Sequence, residues 1–243
     1  MDETFDIYAT PKGLVQVSNP VRKQMLTNLS GSDLTLTEMS NMTGKAQSTL
    51  SVHLEKMAGD GLVSFREDPA DSRRKIFSLS SRLMARSREI KEEGQEVYHK
   101  TIESSVEQNS NFFKVLLRSL IVGAEASGLC IGPTMRSLGK SVGKALAKKM
   151  TSSKVEDIIG ELQEFYERND AGEVCVYTFM PLTIIVRDNF EVMQCAAESI
   201  SVFSQALFLV VLQTLTKKEY KITYKESFGL GNNYSKFVIE QVI

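Results

Sequence analysis

The sequence predicts an α+β chain of two domains joined by a long helix, and three observations carry that expectation. The chain has 243 residues, 42% apolar and 24% charged, a balance that excludes disordered and collagen-like classes and gives one or two cores at roughly 150 residues per domain. Two short segments with apolar residues at helical spacing are joined by a glycine turn and followed by apolar–polar alternation, the periods of helix and strand in turn. From Phe112 a polar stretch gives way to apolar helices and then strands. The expected boundaries are 1–80, 81–110 and 111–243.

The first helix runs over 20–29, with Asn19 as N-cap, Pro20 at its first position and Val21, Met25, Leu26 and Leu29 on one face. A short extended link at 34–37 leads to a second helix that Thr37 is expected to cap, and Gly44-Lys-Ala turns the chain. Over 47–59, Leu50, Leu54 and Met57 recur at helical spacing, and Gly59 and Gly61 mark the stop. Two short helices around a glycine turn outline a helix-turn-helix. Residues 62–66 and 75–79 then alternate around the charged turn 67–74, a hairpin whose tip carries Arg73, Arg74 and Lys75, so the motif acquires a wing.

Residues 80–110 are polar, with Leu83, Ile90 and Val97 spaced by seven, and predict a linker helix that pairs with a second copy of itself. Beyond it the pattern gives helices over 112–126, 134–150 and 154–168, strands over 173–178 and 182–186, an apolar helix over 199–215, and a closing strand pair over 220–226 and 236–242.

The formal net charge of −1 hides an asymmetry: seven bases stand between Asn111 and Met150 against Glu125 alone, and thirteen acids against eight bases follow from Thr151. A solvated helix face accounts for the basic segment. Cys130, Cys175 and Cys195 are widely spaced with no CxxC pair, which fits a reducing compartment. The acidic start lacks the features of a signal peptide, and the best apolar run, 206–212, falls short of the ~18 to 20 residues a membrane span needs. A cytoplasmic protein with no membrane partner is expected.

In a helix-turn-helix the first residues of the second helix meet base edges in the major groove. Gln47, Ser48, Thr49, Ser51 and Val52 suit that role, with an amide for an adenine edge, hydroxyls for bases or phosphates, and a methyl surface for thymine. Arg73, Arg74 and Lys75 suit phosphates or the adjacent minor groove. Here Asn19-Pro-Val-Arg-Lys-Gln-Met-Leu, Ser48-Thr-Leu-Ser-Val-His-Leu-Glu-Lys-Met and Gly61-Leu-Val resemble the winged-helix domain of ArsR-type regulators over about residues 14–80, with a wing closer to the MarR type. The resemblance implies binding of double-stranded DNA. The segment 38–43 lacks the cysteines of ArsR-type metal sensors, and His53 reads as a structural histidine packing or touching phosphate. Residues 1–80 carry nine bases against ten acids, so DNA binding rests on local potential and on a homodimer.

The C-terminal half resembles the 4-vinyl reductase domain, an α+β ligand-binding fold, through Leu138-Gly-Lys-Ser-Val-Gly-Lys-Ala-Leu-Ala, Thr183-Ile-Ile-Val-Arg-Asp and the closing stretch from Tyr220 to Ile239. Where zinc-binding members of that family have two cysteines eight residues apart, this chain has Ser227 and Ser235, so no metal or other cofactor is expected. A winged helix followed by this domain resembles methanogen-specific, redox-responsive repressors. That resemblance implies an archaeal repressor sensing redox state through thiols. From the residues around them, Cys175, after Gly172-Glu-Val at a strand start, is the first candidate, Cys195 in an irregular stretch the second, and Cys130 between Gly128 and Gly132 the third. The rival signal is a small apolar ligand among Phe112, Phe113, Phe179, Phe203, Phe208 and Phe228. A non-DNA-binding interaction subunit, like the Bet3-type relatives of that fold, is a third reading and leaves the wing idle. No enzyme is expected: six residues rather than four separate Gly132 and Gly139 of the phosphate-loop look-alike, and no Gly-x-Ser-x-Gly elbow is present.

Overall fold

The computed structural model describes residues 4–69, 71–90, 94–96, 98–99, 102–103, 112–187, 194–226 and 234–242, without the side chains at 72, 112–115, 194, 195 and 226. The chain divides into two units, Met1–Glu89 and Ile90–Ile243.

In the first unit, strands β1 (Asp6–Thr10) and β2 (Gly13–Val17) form an antiparallel hairpin. Helix α1 (Pro20–Leu29) starts where expected, with the Arg22 amide donating to the Asn19 side chain at 3.1 Å, and it buries Met25, Leu26 and Leu29. Strand β3 (Leu34–Thr35) leads into α2 (Leu36–Thr43). The cap is Thr35 and not Thr37. Extended backbone at Thr35 lets its hydroxyl accept from the Glu38 amide while Glu38 accepts from the Thr35 amide at 2.7 Å, a reciprocal capping box that sets the start two residues earlier. Gly44 closes α2 in the left-handed region, at φ +68°, and α3 (Gln47–Gly59) follows.

The wing is β4 (Val63–Asp68) and β5 (Asp71–Leu79), with β3 on the other side of β5. Its hairpin is tighter than the composition of 67–74 implies: Glu67 pairs with Lys75 and Asp68 with Asp71, so Arg73, Arg74 and Lys75 lie within β5 and not at the tip. The start of the expected linker helix is also corrected. Residues 82–87 form strand β6 (Arg82–Ser87), antiparallel to β1, with Ala85 buried and Leu83 packed against the core. Placement of Leu83 and Ala85 two residues apart obeys the strand period, and buried Asp6 pairs across the strands with Arg86 at 3.9 Å. Helical backbone is present at 94–96, 98–99 and 102–103; Val97 of the expected seam lies outside the described residues.

The second unit holds α4 (Phe112–Ala126), β7 (Leu129–Cys130), α5 (Gly132–Ala147), α6 (Val155–Arg168), β8 (Glu173–Phe179), β9 (Leu182–Arg187), α7 (Gln194–Thr216), β10 (Tyr220–Glu226) and β11 (Ser235–Gln241). Its sheet is antiparallel in the order β10-β11-β9-β8. Ile158, Ile159 and Leu162 of α6, Ile184 of β9, Leu207, Phe208, Val211 and Leu212 of α7 and Phe237 of β11 form the core. The buried Tyr166 hydroxyl donates to Ser204 at 3.1 Å and is pushed up to about 12 by burial.

Helices α5 and α7 approach backbone to backbone. A Cβ at Gly139 would collide with the Phe203 carbonyl oxygen, and one at Gly143 would stand 2.9 Å from that of Leu207, so hydrogen is the largest substituent either position admits. The apolar run of α7 is longer than the 206–212 segment suggests. Over Ala196–Thr216 it is long and apolar enough to cross a membrane by length and composition, yet Leu207, Phe208, Val211 and Leu212 are fully buried in the domain core.

Candidate DNA-binding interface

The side of α3 that packs inward fixes the side that faces out. Leu50, Leu54 and Met57 are buried at 0–2% exposure against α1, α2 and the wing, which leaves Gln47, Ser48, Thr49, Ser51 and Val52 in solvent. Val52 is 67% exposed, far more than packing requires of a β-branched apolar residue, and so presents a methyl surface. The α2–α3 turn is pinned by the Ser40 hydroxyl donating to the Lys45 carbonyl at 2.7 Å, which sets the entry of α3.

One flank of α3 faces the wing across an open groove of about 730 Å³, walled by Gln47, Ser51 and Glu55 on the helix and by Phe65, Arg73, Arg74 and Lys75 on the strands. Gln47 and Ser51 of the predicted helix residues thus share this groove with all three wing bases, whereas Ser48, Thr49 and Val52 are exposed on α3 outside it. Lys75 Nζ sits 4.3 Å from the centre of the Phe65 ring, a cation–π contact that holds the ammonium at the groove edge. Arg74 is 3.7 Å from Asp71, a pair exposed enough to exchange its partner for a phosphate. Phe65, 51% exposed although apolar, escapes sequence reading because strand alternation alone does not reveal which face extends beyond the helices.

The opposite flank carries a contact that sequence reading also missed. Arg22 Nε of α1 donates to His53 Nδ1 of α3 at 3.4 Å. His53 is half-buried, and burial, then the charges of Arg22 and Lys56, hold its imidazole below the usual histidine range. A neutral ring accepting at Nδ1 carries its proton on Nε2. The signal in the sequence was a base in the first turn of α1, where the helix dipole disfavours positive charge.

The predicted thiols and phenylalanines are dispersed. Cys175 on β8 and Cys130 on β7 are half-buried and not in a disulfide; the side chain of Cys195, at the start of α7, lies outside the described residues. Burial, then the hydrogen bond and charge of Glu173, push the Cys175 thiol up, and Arg187 opposes them. Phe208 is fully buried in the core, Phe203 is half-buried against it and Phe179 is 55% exposed on β8, so these three do not converge on one cavity. The side chains of Phe112 and Phe113, together with Phe228 and Ser227, lie outside the described residues. Ser235 is buried and shares a 3.0 Å hydrogen bond with Ser201. Among the described residues no group of three or more His, Cys, Asp or Glu is placed to hold a metal ion.

Helix-turn-helix, wing and exposed polar helix face together define a regulatory DNA-binding module. Comparison with known proteins agrees: residues 19–64 match the family model for bacterial regulatory proteins of the arsR family, so the chain carries an ArsR-type helix-turn-helix. An uncharacterized protein of Methanocaldococcus jannaschii is 28% identical over 116 residues, 46% of this chain, and the chain spans about half (49%) of that relative's length. A crystal structure of a vinyl-4-reductase family protein from the same organism aligns with 61% of this chain and 92% of its own, at 13% identity and a TM-score of 0.34.

Proposed function

We propose that the chain is a transcriptional regulator, a homodimeric repressor that reads double-stranded DNA with α3 and the wing and receives its signal in the C-terminal unit. The observation that supports this reading is the groove that Gln47 and Ser51 share with Arg73, Arg74 and Lys75, next to the exposed Ser48, Thr49 and Val52 of the same helix, within and just after the segment matching the arsR family. The helix residues are the base readers and the wing bases the phosphate or minor-groove contacts, the division that sequence-specific binding requires.

A dimer places two such helices on half-sites about one turn apart. The exposed Leu116, Leu117 and Leu120 of α4 are the apolar surface that supports pairing of two copies. The signal in this reading is redox state, taken through Cys175, Cys195 and Cys130, because two of these thiols are unbridged and half-buried rather than sealed in the core. A peroxide that oxidises a thiol there to a sulfenic acid, itself reduced to water or an alcohol, or a disulfide that exchanges with it and releases a thiol, shifts a two-state arrangement of the dimer, and with it the spacing of the recognition helices. The raised Cys175 thiol makes its oxidation slow at neutral pH and faster as pH rises. The protein is a binder and not an enzyme in this reading, with no cofactor.

The test is a titration of the full chain against duplex DNA from upstream of its own gene, under thiol reductant and then oxidant, repeated with Cys175→Ser. The expected result is tight binding in one redox state, reversal on changing it, and loss of the difference in the variant. Equal binding in both states removes the thiol signal and turns the search to a small apolar ligand; no binding in either removes the regulator reading.

A further inference from the structure

We infer that Arg22, held by His53, is a second phosphate clamp on the side of the recognition helix away from the wing. The inference rests on the regulator reading above. A helix lying in a major groove has a sugar–phosphate strand along each flank, so bases on one flank alone leave the other strand without a partner. At about 100° per residue, Gln47, Ser51 and Glu55 of α3 turn to the wing, Ser48 and Val52 point outward, and His53 falls on the far flank. Arg22 reaches that flank from α1.

The adjacent base shows that this placement is specific. Lys23 is turned away and donates to the carbonyl and hydroxyl oxygens of Thr4, both at 3.0 Å. Arg22 donates Nε to His53, which leaves the two terminal nitrogens of its guanidinium for an incoming anion and fixes the plane in which they lie. The imidazole adds Nε2–H as a further donor beside them. Near-zero charge over residues 1–80 makes such local placement matter, because no general positive field draws the duplex in.

The experiment is fluorescence-anisotropy binding of the full chain to a mixed-sequence duplex of about 30 base pairs across a salt series, since phosphate contacts show in the slope of log affinity against log salt. Arg22→Gln is expected to lower affinity about tenfold at low salt, to a similar degree on unrelated duplexes, and to flatten the slope by about one. Arg22→Lys keeps the charge and is expected to keep the slope while losing several-fold in affinity, because an ammonium cannot hold the fork geometry. His53→Ala is expected to weaken binding and His53→Asn, which retains an acceptor, to restore most of it. Circular dichroism of each variant separates a folding loss from a contact loss, and the Lys and Asn variants carry the test should Arg22→Gln unfold. Unchanged affinity and slope in Arg22→Gln, with both reduced in Arg73→Ala/Arg74→Ala, overturn the clamp and leave the regulator reading standing. Failure of the unaltered chain to bind any duplex overturns both.

Discussion

The two units use their helices in opposite ways. In Met1–Glu89 three short helices meet through interlocked side chains, Met25, Leu26, Met39, Leu50, Leu54 and Met57, and each keeps an outer face free for chemistry. In Ile90–Ile243 the contact of α5 with α7 is made of glycine against backbone, and α7 gives Leu207, Phe208, Val211 and Leu212 to the core. The candidate interface of the first unit therefore lies on a surface that tolerates substitution, whereas the second unit is sensitive to volume where its helices touch.

The strongest challenge to that contrast is Gly139→Val. A side chain there must displace the Phe203 carbonyl, which is backbone and cannot swing away, so a loss of about 3 kcal/mol is expected. Thermal or denaturant unfolding followed by circular dichroism measures it; a change below about 1 kcal/mol would mean the helices separate easily and the close approach is not structural. Arg73→Ala with Arg74→Ala tests the opposite property of the first unit. These exposed bases support no core, so stability should stay within about 0.5 kcal/mol of the unaltered chain while the salt slope of DNA binding falls by about two. Loss of fold in this variant would contradict a purely surface role.

A smaller effect is expected at the capping box. Thr35→Ala should cost about 1 kcal/mol. The Thr35 amide, then its hydroxyl, hold the Glu38 carboxyl below its ordinary value of 4.5; a depressed acid stabilises the fold above its unfolded value, and that contribution fades as pH falls through the lower folded one. Acid titration of stability should therefore differ between the unaltered chain and Glu38→Gln only below about pH 5. The smallest expected effect is chemical. Alkylation of Cys175 by iodoacetamide at pH 7 should run slower than that of a free cysteine and accelerate toward pH 10, because burial and Glu173 disfavour the thiolate. A rate at or above that of the free thiol would contradict this environment.

The same contrast decides what could be read from sequence. Helices α1 and α3 are legible to the residue because their signals are local: Asn19-Pro20 at one start, and Leu50, Leu54 and Met57 at a spacing that also dictates which residues face out. The base-reading candidates follow from that spacing alone. What escaped depends on partners distant in the chain. Strand β6 is held by the pairing of residues 6–9 with 82–86, and the heptad-like spacing of Leu83 with Ile90 gives no hint of it. The wing bases were found as residues and misplaced as geometry, since the register Glu67↔Lys75 is set by Phe65 meeting Phe77. The contact of Arg22 is not legible in sequence because its partner, His53, is thirty-one residues away.

Whether α3 reads sequence is decided by selection of duplexes from a randomised pool by the full chain, run in parallel with Gln47→Ala. The expected outcome is an enriched pseudo-palindrome whose preference the variant changes at one position in each half-site, with the flanking positions kept. Absence of any enriched sequence, or an identical motif from both proteins, would contradict the assignment of α3 as the reading helix.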